Sequence, residues 1–150
     1  MITTEQIKEL REKTSLSIMQ CQKALEEANG DEILAIKLLK EKGAEIASRK
    51  SGRTLGAGVV SSYIHTGDSV GTMVELFCET DFVAKNPEFK NTAREIAMHI
   101  AAMKPADVGE LLQQPYIKGN GETVGDLING TIQKFGERTE VGQFIRYSIN

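Results

Sequence analysis

The sequence predicts an α+β protein, in which a small helical bundle precedes a core of antiparallel strands and helices. Apolar residues recur at steps of three and four through residues 1–43 and again through residues 87–103, as in amphipathic helices. Between them, strand-like runs at 59–65 and 70–78 flank a turn centred on Gly67-Asp68, which is typical of a β-hairpin. Helices that follow a hairpin in this order are expected to cover one face of an antiparallel sheet.

These patterns divide the chain into a helical domain at 1–43, a linker at 44–58 and a core domain at 59–150. Three short helices are predicted in the first domain, and Gly43 is expected to end the third. Residues 44–50 are expected to give the linker a helical first half, before glycines loosen the chain. The apolar positions of the three helices are Ile7, Leu10, Ile18, Cys21, Leu25, Ala28, Leu34, Leu38 and Leu39.

The rest of the core is predicted from its start and stop signals. A long helix begins where Asn86 acts as the cap and Pro87 lies in the first turn. A short helix is expected at 108–112, a further helix between Thr123 and Gly136, and a last strand at 141–149. The predicted buried stripe of the long helix consists of Phe89, Ala93, Ile96, Ile100 and Met103.

Composition restricts the function classes. The chain has 150 residues, 40% of them hydrophobic and 26% charged, as in a soluble globular protein. A net charge of −3 argues against binding to nucleic acid through phosphate neutralisation. No apolar run approaches the ~18 residues of a membrane span, so no membrane association is expected. Cys21 and Cys78 fall on apolar faces, which indicates buried thiols in a reducing compartment rather than a disulfide.

No catalytic or metal-binding constellation is evident, so neither an enzyme, a cofactor nor a metal is predicted. His65 and His99 are far apart in sequence, and the two cysteines lack zinc-site spacing. Glu75 and Glu79 share a strand, where a solvated edge is the expected role. His99 lies beside the apolar stripe of the long helix, and the pattern leaves open whether it belongs to the core or contacts a partner.

The segment Glu79–Ala84 is the most informative part of the chain. It places a carboxylate, Asp81, and a large aromatic ring, Phe82, at a strand-to-helix corner where turns prefer Gly, Asn or Ser. An exposed apolar ring at such a corner indicates a surface for a partner. The alternative is that Phe82 folds back into the core, and local pattern favours neither.

Six segments together resemble the elongation factor Ts family, whose members are nucleotide exchange factors for the GTPase elongation factor Tu. The most specific of them contains the motif Thr80-Asp81-Phe82-Val83. Residues 1–104 match nearly without a gap, and the C-terminal part matches more loosely. The matching segments are Ile7–Thr14, Met19–Leu25, Glu27–Asp31, Val74–Ala84, Ile96–Ala102 and Gly142–Tyr147.

The resemblance implies both a fold and a set of contact residues. The N-terminal domain would be a ubiquitin-associated (UBA)-like bundle that docks on the nucleotide-binding domain of elongation factor Tu, and the core would be the family's dimerisation domain. Asp81 and Phe82 would wedge between two helices of the GTPase near its magnesium and phosphate site. The complete set of implied contact residues is Met19, Gln20, Lys23, Val70, Gly71, Thr80, Asp81, Phe82, Val83 and His99.

The chain departs from the family pattern in one place. Family members usually carry a long helical insertion after the segment that matches Lys104-Pro105, whereas only residues 106–114 stand there in this chain. A homodimer is expected because the chain has a single hairpin and a single wedge motif, and the short segment leaves a monomer open. In the dimer, Val70, Gly71 and His99 of one subunit would contact the GTPase that the mate's motif engages.

The sequence leaves two further function classes open. One is a scaffold that binds elongation factor Tu without exchanging nucleotide, and the other is an enzyme that uses one of the two cysteines. The resemblance implies the bacterial cytoplasm as the compartment, and a plastid or a mitochondrion also fits.

Overall fold

A computed structural model describes residues 1–149 and confirms the α+β class, with an N-terminal bundle of three helices and a three-stranded antiparallel sheet. Asn150, the last residue of the predicted core domain, lies outside the described residues. The elements in chain order are α1 (Thr4–Thr14), α2 (Ile18–Glu27), α3 (Glu32–Lys50), β1 (Ala57–Ile64), β2 (Val70–Cys78), α4 (Asp81–Ala84), α5 (Pro87–Met103), α6 (Val108–Gln113), α7 (Val124–Phe135) and β3 (Glu140–Ser148).

Side-chain caps define the starts of the helices. Thr3 and Ser17 each form a capping box with a glutamine three positions on, which supplies partners for backbone N–H groups that a helix leaves free. Asn86 accepts a hydrogen bond from the Glu88 N–H at 2.8 Å, and Pro87 occupies the first turn of α5. These signals are local, which is why the helix starts are predictable from sequence.

The sheet has the order β1-β2-β3 with antiparallel neighbours, and the predicted hairpin is confirmed. At its turn, Gly67 and Asp68 adopt positive φ angles of 97° and 62°, which suits these two residue types. Alternate residues of β2 are buried against the helices, and these are Thr72, Val74, Leu76 and Cys78. The helices therefore cover one face of the sheet, as predicted.

The predicted stop of the third helix at Gly43 is wrong, because α3 continues through it to Lys50. Gly43 is buried, and a Cβ there would lie 2.9 Å from Oε1 of Gln133 and 3.5 Å from the carbonyl oxygen of Asn129. Both residues belong to α7, so this glycine permits a close helix contact rather than a turn. The segment between α3 and β1 therefore consists of residues 51–56, which is shorter than the predicted linker at 44–58. The predicted domain boundaries at 43 and 58 stay predictions.

Two hydrophobic clusters form the interior. The first lies within the bundle and includes Cys21, and the second lies between sheet and helices and includes Cys78; both thiols are free and buried. Three predicted core positions are more exposed than expected, since Ile18, Leu34 and Met103 keep 55%, 40% and 39% of their surface accessible. Each lies at or near a helix end, where the apolar stripe runs past the edge of its cluster.

Candidate functional site

The corner between β2 and α5 is a single helical turn that presents one aromatic ring to solvent. Thr80 caps this turn, α4, and its Oγ1 accepts a hydrogen bond from the Val83 N–H at 3.4 Å. Val83 and Ala84 are each 4% exposed, whereas Phe82 is 86% exposed. The structure therefore excludes the alternative in which Phe82 folds into the core.

Asp81 lies in the first turn of α4 and is exposed beside Phe82. The buried side of the turn is held by the core cluster, which Val83 and Ala84 join. The turn is thus fixed from below while a carboxylate and an apolar ring face outward together. Such a pair has no role in the packing of this chain and is suited to contact with another molecule.

Two residues outside the predicted contact set, Glu137 and Arg138, also contact this corner. The Glu137 carboxylate accepts hydrogen bonds from the backbone N–H groups of Glu79 and Thr80, at 3.1 and 3.0 Å. The Arg138 N–H donates to the Glu79 carboxylate. These pairs are 57 to 59 positions apart in the chain, so no local pattern points to them.

The implied contact residues of the bundle lie on α2. Met19 is 79% exposed and Lys23 is exposed, whereas Gln20 is half-buried and its Oε1 accepts the Ser17 N–H of the capping box at 3.1 Å. α2 packs into the bundle cluster and α4 into the core cluster, so the two candidate contact surfaces belong to different cores.

The hairpin tip presents a third candidate surface. Val70 and Gly71 are the first two residues of β2 and are half-buried. The Val70 carbonyl accepts a hydrogen bond from the His65 N–H at 2.9 Å. A Cβ at Gly71 would lie 2.7 Å from Cδ1 of Ile64, so this glycine permits close packing of the tip.

His99 is completely buried, which corrects its expected place on the contact surface. Its Nδ1 accepts the Ile117 N–H at 3.3 Å, and its Nε2 is 2.9 Å from Oε1 of Gln114, to which it donates. Both ring nitrogens are therefore used within the core by a neutral imidazole. Burial lowers the pKa of His99 because it disfavours the charged ring, although the Gln114 hydrogen bond opposes this.

A pH dependence of stability follows from His99. Because its pKa is lower in the folded protein, the unfolded chain takes up a proton first as pH falls below about 6.5, and stability decreases there. Between pH 7.5 and 5.5 the loss attributable to this residue is expected to reach up to about 1.4 kcal/mol. Urea unfolding at several pH values measures this loss, which the His99→Gln variant should lack. The control His65→Gln, at an exposed histidine, should lose stability with pH as the wild type does. The same pH dependence of the free energy of unfolding in the wild type and both variants would contradict the assignment to His99.

The face of the sheet that points away from the helices carries several exposed apolar side chains. Neighbouring strands place them side by side, as in the Met73–Ile145 pair. Monomeric proteins rarely leave apolar patches of this kind open to water. The exposed members, with accessible fractions from 40% to 83%, are Val60, Ile64, Met73, Ile145, Tyr147 and Ile149.

The cysteine next to the corner gives no support to thiol chemistry. Burial raises the pKa of Cys78, and the nearby Glu137 carboxylate raises it further, so the reactive thiolate is disfavoured. Among residues 1–149, no helix combines the length and apolar composition needed to span a membrane.

Known proteins share much of this chain's sequence. The model of the family described as Elongation factor TS matches residues 79–150, which include the corner and the last strand. Elongation factor Ts of Carboxydothermus hydrogenoformans is 40% identical, over 99% of this chain and 89% of the relative. The proteins of that name from Desulforamulus reducens (99% and 89% covered) and Rubrobacter xylanophilus (97% of each) are 39% and 36% identical. The chain is thus similar to translation elongation factors.

Within that class, the chain belongs to the elongation factor Ts family. The alignment with the Carboxydothermus protein runs over 194 positions, whereas this chain has 150 residues, so at least 44 aligned positions have no residue here. The expected lack of a long segment between Lys104 and Pro115 stays a prediction. In this chain the connection contains only the short helix α6.

Proposed function

We propose that this chain is a guanine nucleotide exchange factor for elongation factor Tu in the bacterial cytoplasm, and that Asp81 and Phe82 promote release of GDP. The observation that carries the proposal is the 86% exposure of Phe82 on a turn whose next two residues are buried. Membership of the elongation factor Ts family indicates elongation factor Tu as the partner. Thr80 and Val83 complete the motif, one as the cap of the turn and the other as its anchor in the core.

A wedge of this kind explains exchange without covalent chemistry. A bound nucleoside diphosphate is held by backbone N–H groups, a lysine and Mg²⁺. A ring inserted between packed helices shifts the elements that carry these groups, which loosens the metal site and speeds release of GDP. By linkage, nucleotide that rebinds weakens the exchange factor's own binding, so the factor is released and used again.

The bundle and the hairpin tip provide the other proposed contacts. Met19 and Lys23 offer an apolar and a cationic group on the exposed side of α2, where the nucleotide-binding domain of the GTPase would dock. Gln20 contributes less, because its side chain caps α2. Val70 and Gly71 are proposed as a second contact on the GTPase, and the buried His99 is not part of it.

A homodimer is proposed to form through the outer face of the sheet. Met73 on the central strand β2, with Ile145 and Tyr147 on the edge strand β3, lies on that face and would be covered by the same residues of a second copy. A two-fold interface of this type needs only one self-complementary patch. The dimer would bring the hairpin tip of one subunit to the GTPase that the other subunit's Phe82 engages.

Release of a fluorescent GDP analogue from elongation factor Tu tests the proposal. We expect wild-type protein to accelerate release by more than about tenfold, within the range of coupling between two binding sites. The Asp81→Ala/Phe82→Ala variant should lose the acceleration, and the control Ile117→Ala, at a 41% exposed apolar position in a loop, should keep it.

One alternative has an observation in its favour. At least 44 positions of the alignment with the Carboxydothermus protein have no residue in this chain. If these positions carry a contact that exchange requires, this chain would bind elongation factor Tu as a scaffold without exchanging its nucleotide. Measurable binding with no acceleration of GDP release would establish the scaffold and overturn the exchange proposal.

A further inference from the structure

The turn that carries Phe82 is held in place by what we call the corner clamp, which consists of Glu79, Thr80, Glu137 and Arg138. Glu137 follows Gly136, which ends α7 with a φ of 72° and turns the chain toward the corner. One carboxylate oxygen of Glu137 accepts the N–H groups of Glu79 and Thr80, and the other accepts the Thr80 hydroxyl at 2.6 Å. Charge-assisted hydrogen bonds of this kind are stronger than neutral ones.

The contacts of the clamp run in both directions. Glu137 from the α7–β3 connection binds the backbone of the corner, and Glu79 from the corner accepts the backbone N–H of Arg138. Thr80 links the clamp to the turn itself, because its Oγ1 also accepts the Val83 N–H. The direction of α4 is therefore tied to the start of β3 rather than to β2 alone.

A turn this short requires such support. α4 has four residues and is closed by two backbone hydrogen bonds, from Ala84 to Thr80 and from Lys85 to Asp81. Isolated helical turns are not stable in water. Since Phe82 is 86% exposed, core packing contributes little to its orientation, and the backbone of the turn decides where its ring points.

We infer that Glu137 is a positioning residue for exchange: its carboxylate fixes the backbone at Glu79 and Thr80 and so aims the Phe82 ring at the GTPase. This inference rests on the proposed function. It assigns a role to a residue outside the Thr-Asp-Phe-Val motif. Glu137 acts through Phe82 and does not itself touch the partner.

The first test compares Glu137 variants with and without Phe82 in the GDP-release assay. Glu137→Ala is expected to lower stimulated release by about tenfold, within the range for residues that share a hydrogen-bond network. Glu137→Gln keeps an acceptor oxygen for the two N–H groups and should restore most of the rate. The control Glu41→Ala removes an exposed carboxylate of α3 and should match the wild type.

A Phe82→Ala background distinguishes a positioning role of Glu137 from a general loss of stability. In a Phe82→Ala background, Glu137→Ala should cause no further loss of exchange, because the group it aims is gone. An equal loss in both backgrounds, or no loss in the wild-type background, would overturn the inference. Thermal unfolding of each variant shows that the proteins compared are folded.

A second readout does not depend on exchange. The amide proton signals of Glu79 and Thr80 should move upfield and exchange faster with solvent in Glu137→Ala, and should stay near their wild-type values in Glu137→Gln. If these two amides are unchanged in Glu137→Ala, Glu137 does not hold the corner. If the amides respond but Phe82→Ala retains full exchange activity, the wedge proposal fails and the positioning role for exchange fails with it.

Discussion

Replacement of Phe89 by alanine is expected to lower the free energy of unfolding by about 3–5 kcal/mol. The ring is completely buried in the first turns of α5 and meets Phe135 of α7 edge to face, with centroids 5.9 Å apart. The truncation removes apolar contacts and leaves a cavity where the two helices join. A domain of this size is stable by only about 5–15 kcal/mol, so the variant should be marginal. Urea unfolding followed by circular dichroism measures the change.

Phe82 provides the matched control for that experiment. It is the same residue type seven positions earlier but stands in solvent, so Phe82→Ala should change the free energy of unfolding by less than about 0.5 kcal/mol. The two variants should thus separate stability from exchange, with Phe89→Ala affecting the first and Phe82→Ala the second. A large loss of stability in Phe82→Ala would show that the ring packs in solution and would contradict the wedge.

Placing a charge on the outer sheet face should dissociate the proposed homodimer. Met73 is 50% exposed on the central strand of that face and pairs with Ile145 of the edge strand β3. A glutamate there would be buried twice across a two-fold interface without a partner, which is costly. We expect the dissociation constant of Met73→Glu to rise by more than about 100-fold, or about 3 kcal/mol.

Light scattering coupled to gel filtration over a range of concentrations measures this shift. Met19→Glu is the control, since it makes the same change at an exposed methionine of the bundle and should remain dimeric. A wild-type protein that stays monomeric at high micromolar concentration would contradict the dimer. In that case exchange would have to come from one subunit, without a second contact from the hairpin tip of a mate.

Local signals in the sequence predicted most of the fold. Asn86 with Pro87 started α5 and Gly136 ended α7, because capping depends on neighbours within a few positions. The prediction that Gly43 ends the third helix was wrong because the sequence alone does not distinguish a glycine that ends a helix from one that lets two helices approach closely. Only the distance to α7 separates the two roles.

The candidate site was predictable only in part, for the same reason. The Phe82 corner stood out since an aromatic ring contradicts turn preference, but its exposure required the fold. His99 lay at the edge of a helical stripe, and its partners on residues 114 and 117 come from a separate loop. Glu137 reaches the corner across 57 positions, which no periodicity connects.

The unbroken helix α3 changes how the two ends of the molecule can act. Its 19 residues span about 28 Å at 1.5 Å per residue, and its second half, with Ile46 and Ala47, packs against the core. The bundle is therefore carried on a stiff spacer instead of a tether. In the proposed complex, contact of Met19 and Lys23 with the GTPase would present Phe82 to it at a high effective concentration and in a fixed direction. The binding free energies of two modest contacts then combine, as in a rigid bivalent ligand, because forming the second contact costs little further conformational entropy.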